Sequence, residues 1–213
     1  MAITINGTGS ITGLTAGGLP DGSVTAADIE TSLDLTGKTV TLPSGTGGKI
    51  LQVVNTQYDT PTSVTQPAET HVDVPFSVNI TPTTSTSLML VSFSLMGETG
   101  NAAWDAMASF SRTISGTRTV VVPTTAFSNR GEGIVTFADS YGGTADNAST
   151  PGGFYVHMFP DVNRPANTNT ITYTPTVFQH LASTFYLNRT VTDSDSTSYE
   201  RGISWITVME VAA

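Results

Sequence analysis

The sequence predicts an all-β protein, a jelly-roll or β-sandwich knob behind an extended N-terminal arm. Three observations lead there. Of 213 residues, 38 are Thr and 21 are Ser, while charged residues make up 12%, about half the usual share. Threonine is β-branched and suits a half-exposed pleated strand, whereas long helices call for Glu, Lys, Leu and Ala. From Lys49 onward, about ten short alternating segments are separated by Gly, Pro, Asn, Asp or Ser clusters, the punctuation of a sandwich or jelly roll. Before Lys49 that rhythm is missing.

Residues 1–47 form the arm. MAITINGTGSITGLTAGGLPDGSVT (1–25) has one acidic residue, no basic one and two short apolar pieces, Ile3 with Ile5 and Ile11 with Leu14. In LPDGS (19–23), Pro20 presets φ while Asp21 and Gly22 tolerate left-handed backbone, so a turn is expected. Ser23 or Thr25 can cap a short helix at about 25–32, with Asp28 three residues after Thr25 in a capping-box arrangement. KTVTLP (38–43) alternates as a brief strand would, and SGTGGK (44–49) reads as a flexible joint. None of these pieces has a core of its own, so the arm is ordered by neighbours or by other copies of itself.

Residues 48–213 form the knob. In HVDVPFSVNI (71–80), Val72, Val74, Phe76, Val78 and Ile80 face one way and His71, Asp73, Ser77 and Asn79 the other, a strand with one buried face. Pro75, on the polar side, removes a ladder donor and favours an edge or a bulge. Further strands are expected at 49–57, 87–97, 107–114, 117–123, 133–139, 153–160, 169–178, 183–190 and 202–211. The last, ISWITVMEV, places Ile203, Trp205, Met209 and Val211 on one face and Ile206 and Val208 on the other. Such a strand is either central and covered on both sides, or packs a core with one face and a neighbouring subunit with the other. SLMLVSFSLM has the same two-sided character. Two such strands in a small domain favour oligomerisation, with Ile203, Trp205, Ile206, Val208 and Met209 as candidate interface residues.

Charge and motifs exclude several functions. The net charge of −9 repels phosphate backbones, which speaks against nucleic-acid binding. There are no cysteines, hence neither disulfides nor thiolate metal sites, and the chain is indifferent to redox conditions. The N-terminus lacks the basic and apolar regions of a secretory signal, and no 18-residue apolar run occurs, so neither general secretion nor membrane insertion is expected. SGTGGKI (44–50) resembles the end of a phosphate-binding loop, but Pro43 and Ile50 stand where a Gly and a hydroxyl are needed. His71, His157 and His180 are isolated and read as solvated strand histidines. Asp193, Asp195 and Glu200 in TDSDSTSYE (192–200) lack calcium-loop spacing. Asn79, Asn147 and Asn188 open sequon-like tripeptides that read as part of a hydroxyl-rich surface. No catalytic constellation, cofactor or metal is expected, and the chain reads as non-enzymatic.

ITINGTGSITGL…GLPDGSVTAADI at the start and YLNRT…RGISWITVMEV at the end resemble fibre-type structural proteins of tailed bacteriophages. Those proteins begin with a similar Gly/Thr-rich segment that attaches to the virion, and end in a β-domain whose last strand reads alike. The resemblance covers about the first and the last 30 residues. It implies a homotrimeric, non-enzymatic virion component, assembled in the host cytoplasm, whose arm contacts other virion proteins through Ile3, Ile5, Ile11 and Leu14. On a tail fibre the knob would touch the host surface, with Trp104, Asn129, Arg130 and Tyr141 in the loops 97–105, 128–133 and 139–153 suited to stacking on and hydrogen-bonding to sugars; these are equally readable as ordinary surface loops. Two alternatives stand beside it: a capsid-decorating head fibre with no receptor role, and a carbohydrate-processing enzyme.

Overall fold

The chain divides into two units, Met1–Gly47 and Gly48–Ala213. The computed structural model describes residues 50–100, 105–123, 130–137 and 151–213, all in the second unit. The expected helix at 25–32 and the arm residues Ile3, Ile5, Ile11 and Leu14 lie outside the described residues.

The described residues are all-β. The strands are β1 (Ile50–Tyr58), β2 (Thr62–Gln66), β3 (Val72–Asp73), β4 (Val78–Ile80), β5 (Leu88–Thr99) and β6 (Ala106–Ile114). There follow β7 (Thr117–Val121), β8 (Val135–Thr136), β9 (Gly152–Pro160), β10 (Ile171–Gln179), β11 (Ser183–Leu187) and β12 (Ser204–Val211). They form two antiparallel six-stranded sheets. One runs β1-β12-β5-β11-β2 with β9 also on β5, and the other runs β3-β10-β6-β7 with β4 on β10 and β8 on β6. Their inner faces build a single sandwich core, as the alternation of the sequence requires.

From the first sheet, β5 contributes Met89, Val91, Phe93 and Leu95, and β12 contributes Ile206 and Val208, all inaccessible to solvent. From the second sheet, Ala108, Phe110, Ile171 and Tyr173 face them. Aromatic rings fill the middle: Phe110 meets Tyr173 edge-on at 5.7 Å and Phe154 meets Phe137 at 4.9 Å, geometries that bring the positive edge of one ring to the face of the other.

Three strands differ from their sequence expectation. The expected strand at 71–80 splits into β3 and β4, both on the outer side of β10, with exposed Pro75 between them. The edge position inferred from that proline is where the segment lies, and Val74 rejoins the ladder by donating to the Pro175 carbonyl at 3.0 Å. β2 was not expected, because Pro61 and Pro67 bracket it and Val64 is its one apolar residue. Its pairing with β11 buries Val64 and Gln66. Of the expected strand at 133–139, the described residues 133–137 hold the two-residue β8, and 138 and 139 lie outside the described residues. The tight turn between β6 and β7 uses Ser115 and Gly116 at φ 49° and 82°, the left-handed pair a two-residue hairpin turn demands.

In β12, Ser204, Ile206, Val208 and Glu210 point into the core while Trp205, Thr207, Met209 and Val211 are half-buried on the opposite side. The subunit-contact expectation is therefore corrected for Ile206 and Val208, which fill this chain's own core. Trp205 is likewise not a core residue.

Glu210 shows how polar groups close one end of the sandwich. Fully buried, its carboxylate accepts bonds from Thr83 N at 2.6 Å, Thr83 Oγ1 at 2.7 Å, Ser87 Oγ at 2.5 Å and Gln52 Nε2 at 2.6 Å. Burial pushes its pKa up, but the hydrogen bonds from Ser87, Gln52 and Thr83 outweigh that and bring it down to about 2. A depressed carboxyl pKa stabilises the fold fully above the unfolded value near 4.5, and that contribution is lost as pH falls toward 2. Glu210→Gln is accordingly expected to cost about 2 kcal/mol at pH 7. The difference from wild type should shrink steadily in denaturant titrations between pH 4.5 and pH 2. A pH-independent difference would show that the carboxylate charge is not what holds the 83–87 turn.

Candidate functional site

Two surfaces of the knob stand out: the segment after Arg130 on the second sheet, and the outer face of the first sheet. Of the expected receptor contacts, Trp104, Asn129 and Tyr141 lie outside the described residues. Arg130 is described and exposed. The segment after it lies close against the second sheet. A Cβ on Gly131 would sit 2.9 Å from the Phe178 ring, and one on Gly133 would sit 2.9 Å from the Met107 Cβ. Ile134 donates to the Ala108 carbonyl at 2.8 Å and Phe137 to that of Ala106 at 3.1 Å. The glycines of SNRGEG thus permit close packing on β6 and β10.

His71 fastens this segment. Its Nε2 lies 2.8 Å from the Glu132 carbonyl and its Nδ1 3.0 Å from Thr176 Oγ1, with the ring 5.1 Å from that of Phe178. A carbonyl can only accept, so Nε2 carries the proton and Nδ1 is left to accept from the Thr176 hydroxyl. Burial lowers the His71 pKa, opposed by the Glu132 carbonyl and assisted by the Arg118 charge. The expectation of a solvated strand histidine is corrected here. His157 and His180 are exposed. Beside His71, Arg118 holds Asp73 by a bidentate pair at 2.9 and 2.8 Å, and Ser111 Oγ donates to the same carboxylate at 2.8 Å. This links edge strand β3 across the sheet to β7.

At the opposite end, Arg112 pairs with buried Asp161 and donates to the Asn163 carbonyl at 2.9 Å, while Tyr173 Oη donates to Asp161 at 2.9 Å. Burial raises the Asp161 pKa against the opposing pull of Arg112, Tyr173 and Arg164. Arg112 also borders an open cleft of about 280 Å³ with Ile114, Ser115, Thr117, Thr119, Pro165 and Asn169. Because Asp161 and Asn163 already engage its guanidinium, the cleft presents mainly hydroxyls and aliphatic carbon. Among the described residues, no three His, Asp or Glu side chains converge as metal ligands, and no helix is long and apolar enough to cross a membrane.

The C-terminal motif residues form a structural knot. Asn188 is fully buried at φ 60°. Its Nδ2 donates to the Tyr58 carbonyl at 2.7 Å, its Oδ1 accepts from Ser204 Oγ at 2.6 Å, and its amide donates to Met96 O at 2.9 Å. Arg189 bridges to Arg201, and both guanidiniums share Asp193 at 3.3 and 2.8 Å. Gly202 lies where a Cβ would meet Met96 Cγ at 2.8 Å. Asn188 is thus no surface sequon, and Asp193 serves an ion-pair bridge, while Asp195 and Glu200 are exposed. Sequence reading missed Asn188, Asp161 and Glu210 as organising residues. The signal present was the polar residue inside an apolar stretch, YLNRT and TVMEV, which a structure must satisfy when it buries it.

The outer face of the first sheet is different in character. β1 turns Leu51, Val53, Asn55 and Gln57 outward, β12 turns Trp205, Thr207, Met209 and Val211, and β5 turns Leu88, Leu90, Ser92, Ser94 and Met96. The register lines them up across strands: Val53 opposite Met209 and Met209 opposite Leu90, Gln57 opposite Trp205, Trp205 opposite Ser94 and Ser94 opposite Tyr155. Met158, at φ 48°, sits in a bulge of β9 and its amide donates to Ser92 Oγ at 2.8 Å. Val53 is 55% exposed, Tyr155 48% and Met158 51%. Of the interface candidates, Trp205 and Met209 lie on this face. Ile203 is exposed just ahead of β12.

No protein-family model matches the chain, and no curated protein matches it. Among solved structures, the chain is similar to VP2 of infectious bursal disease virus in a subviral particle, at 12% identity and a TM-score of 0.30 over 75% of this chain and 41% of that one. It is also similar to a structure of the Gx strain of that virus, at 14% identity and a TM-score of 0.28 over 76% of this chain and 37% of that one. The chain spans about two fifths of the length of these structures. At such scores the likeness carries no argument about this chain.

Proposed function

We propose that the protein is a non-enzymatic structural component of a bacteriophage virion, a homotrimeric fibre anchored by residues 1–47. The observation that carries this reading is the pairing of a Gly/Thr-rich leader with a C-terminal motif, YLNRT…RGISWITVMEV. Its Asn188, Arg189, Arg201, Gly202 and Glu210 are the residues that fasten the last strand into the sandwich. A motif of that kind reports a particular β-domain rather than a chemical activity. The carboxylates of Asp73, Asp161, Asp193 and Glu210 are each engaged by structural partners, which supports a non-enzymatic role. Host-surface contact through the loops bearing Trp104, Asn129, Arg130 and Tyr141 is part of this reading for a tail fibre. A head fibre decorating the capsid is the second form, with the arm gripping the shell.

The test separates arm from knob. Deleting residues 1–45 is expected to leave the β-sheet circular dichroism spectrum and cooperative melting intact while abolishing incorporation into phage particles. Native mass measurement of the full chain should give a trimer. A full-chain monomer at micromolar concentration, or particle incorporation without the arm, would overturn the reading.

A further inference from the structure

We infer that residues 130–134 form an acid-released strap, held across β6 and β10 by the neutral ring of His71. The device is independent of the virion role proposed above. The strap lies on the outer side of the second sheet, against Met107 and Phe178, which alternate with the inward Ala108 and Val177. Gly131 sits where a Cβ would come within 2.9 Å of the Phe178 ring. Gly133 sits where one would come within 2.9 Å of Met107 Cβ and 3.1 Å of the Ala108 carbonyl. A side chain at either position would hold the strap off the sheet. At its far end Ile134 donates to the Ala108 carbonyl at 2.8 Å. Ahead of that bond, His71 reaches the Glu132 carbonyl through Nε2–H at 2.8 Å.

The ring fits this place in one protonation state. Neutral His71 donates through Nε2 and accepts at Nδ1 from the hydroxyl of fully buried Thr176 at 3.0 Å. A second proton goes to Nδ1. The bond to the Glu132 carbonyl persists, but the Thr176 hydroxyl then faces a donor and must turn its own proton away. The new charge also lies beneath the strap, beside Arg118. That guanidinium is fixed there by Asp73 at 2.9 and 2.8 Å and by the His71 carbonyl at 3.1 Å. Two carboxylates favour the imidazolium, Asp73 of β3 and Glu132 of the strap, yet Asp73 is already engaged by Arg118 and Ser111. β10 faces the ring with Thr176 and Phe178, which carry no charge. Burial, with Arg118, outweighs the Glu132 carbonyl and both carboxylates and draws the docked ring's pKa below 6.5. A released ring stands in water and takes its proton near 6.5, whereas a docked ring takes it at lower pH. Docking is therefore strongest above pH 6.5 and weakens as pH falls from there toward the docked value. Release frees the backbone beside Arg130 and uncovers the Phe178 ring, so the second sheet presents a different surface in acid.

The test is amide hydrogen exchange of the full chain, followed by nuclear magnetic resonance between about pH 7.5 and about pH 5. The Phe137 amide, bonded to the Ala106 carbonyl at 3.1 Å just after β8, is the internal reference, because intrinsic exchange changes with pH at both amides alike. Protection of Ile134 relative to Phe137 is expected to fall about five- to tenfold over that range, the worth of one buried hydrogen bond. His71→Gln supplies an N–H donor and an oxygen acceptor and does not titrate, so it should keep the ratio constant. A wild-type ratio that does not change with pH, or an equal fall in His71→Gln, would overturn the strap. If that variant fails to fold, the wild-type imidazole resonances carry the test. They should titrate below pH 6.5 with the midpoint of the Ile134 change. A His71 that titrates at or above 6.5, or at a pH unrelated to the exchange change, would overturn the inference equally.

Discussion

Asp161→Ala is expected to destabilise the knob by about 3–5 kcal/mol, because it strands a buried guanidinium. Arg112 is 8% exposed, and its side chain points along the inner face of β6 beside Phe110 and Ile114. Removing Asp161 takes away its charge partner and the acceptor of the Tyr173 hydroxyl in one step, leaving only the Asn163 carbonyl. In a domain of this size the loss corresponds to about 10 °C in melting temperature. Replacing both partners by apolar residues, Arg112→Met with Asp161→Leu, should cost much less than either single substitution, since no uncompensated charge remains. Denaturant unfolding of the four proteins measures the coupling. Additive costs would show that Arg112 and Asp161 act independently and that the pair does not hold the 161–169 loop in place.

Phe93→Ala and Trp205→Ala are expected to separate core from contact surface. Phe93 is fully buried at the centre of β5, so its truncation should cost about 3–5 kcal/mol of folding stability. It should do so at every protein concentration. Trp205 lies one strand away, on the half-buried side opposite Ser94. Its truncation should take about 1–2 kcal/mol from the isolated fold, with the larger effect appearing as concentration-dependent dissociation. Thr207→Ala, on the same face, should do much less to either quantity. Chemical unfolding combined with sedimentation over a concentration series reads both. A loss for Trp205→Ala equal to that of Phe93→Ala and independent of concentration would place the indole in a core after all.

The C-terminal motif shows why resemblance and function need separate treatment. Its polar members are satisfied inside the chain: Asn188 by Tyr58, Met96 and Ser204, Arg189 and Arg201 by Asp193, and Glu210 by the 83–87 turn. Selection of these residue types follows from the cost of leaving a buried polar group unpaired. They therefore report how this β-domain is held together rather than a chemical activity.

The sequence by itself determined the all-β class, the alternation that sorts Val78 and Ile80 from their outward neighbours, and the edge placement of the segment broken by Pro75. These are local properties: a side-chain period of two and a missing amide donor are written in consecutive residues. Only the tertiary structure decided which face of β12 is the core. Both faces carry large apolar groups, and the choice depends on Phe93, Tyr173 and Phe110 arriving from distant strands. It also decided the fate of the polar residues. Asp161 meets Arg112 across 49 positions and Glu210 meets Thr83 across 127, separations over which no sequence pattern carries information. The apolar row on the outer face arises in the same way. Val53, Met209, Leu90 and Tyr155 belong to four strands, and register alone brings them into one surface.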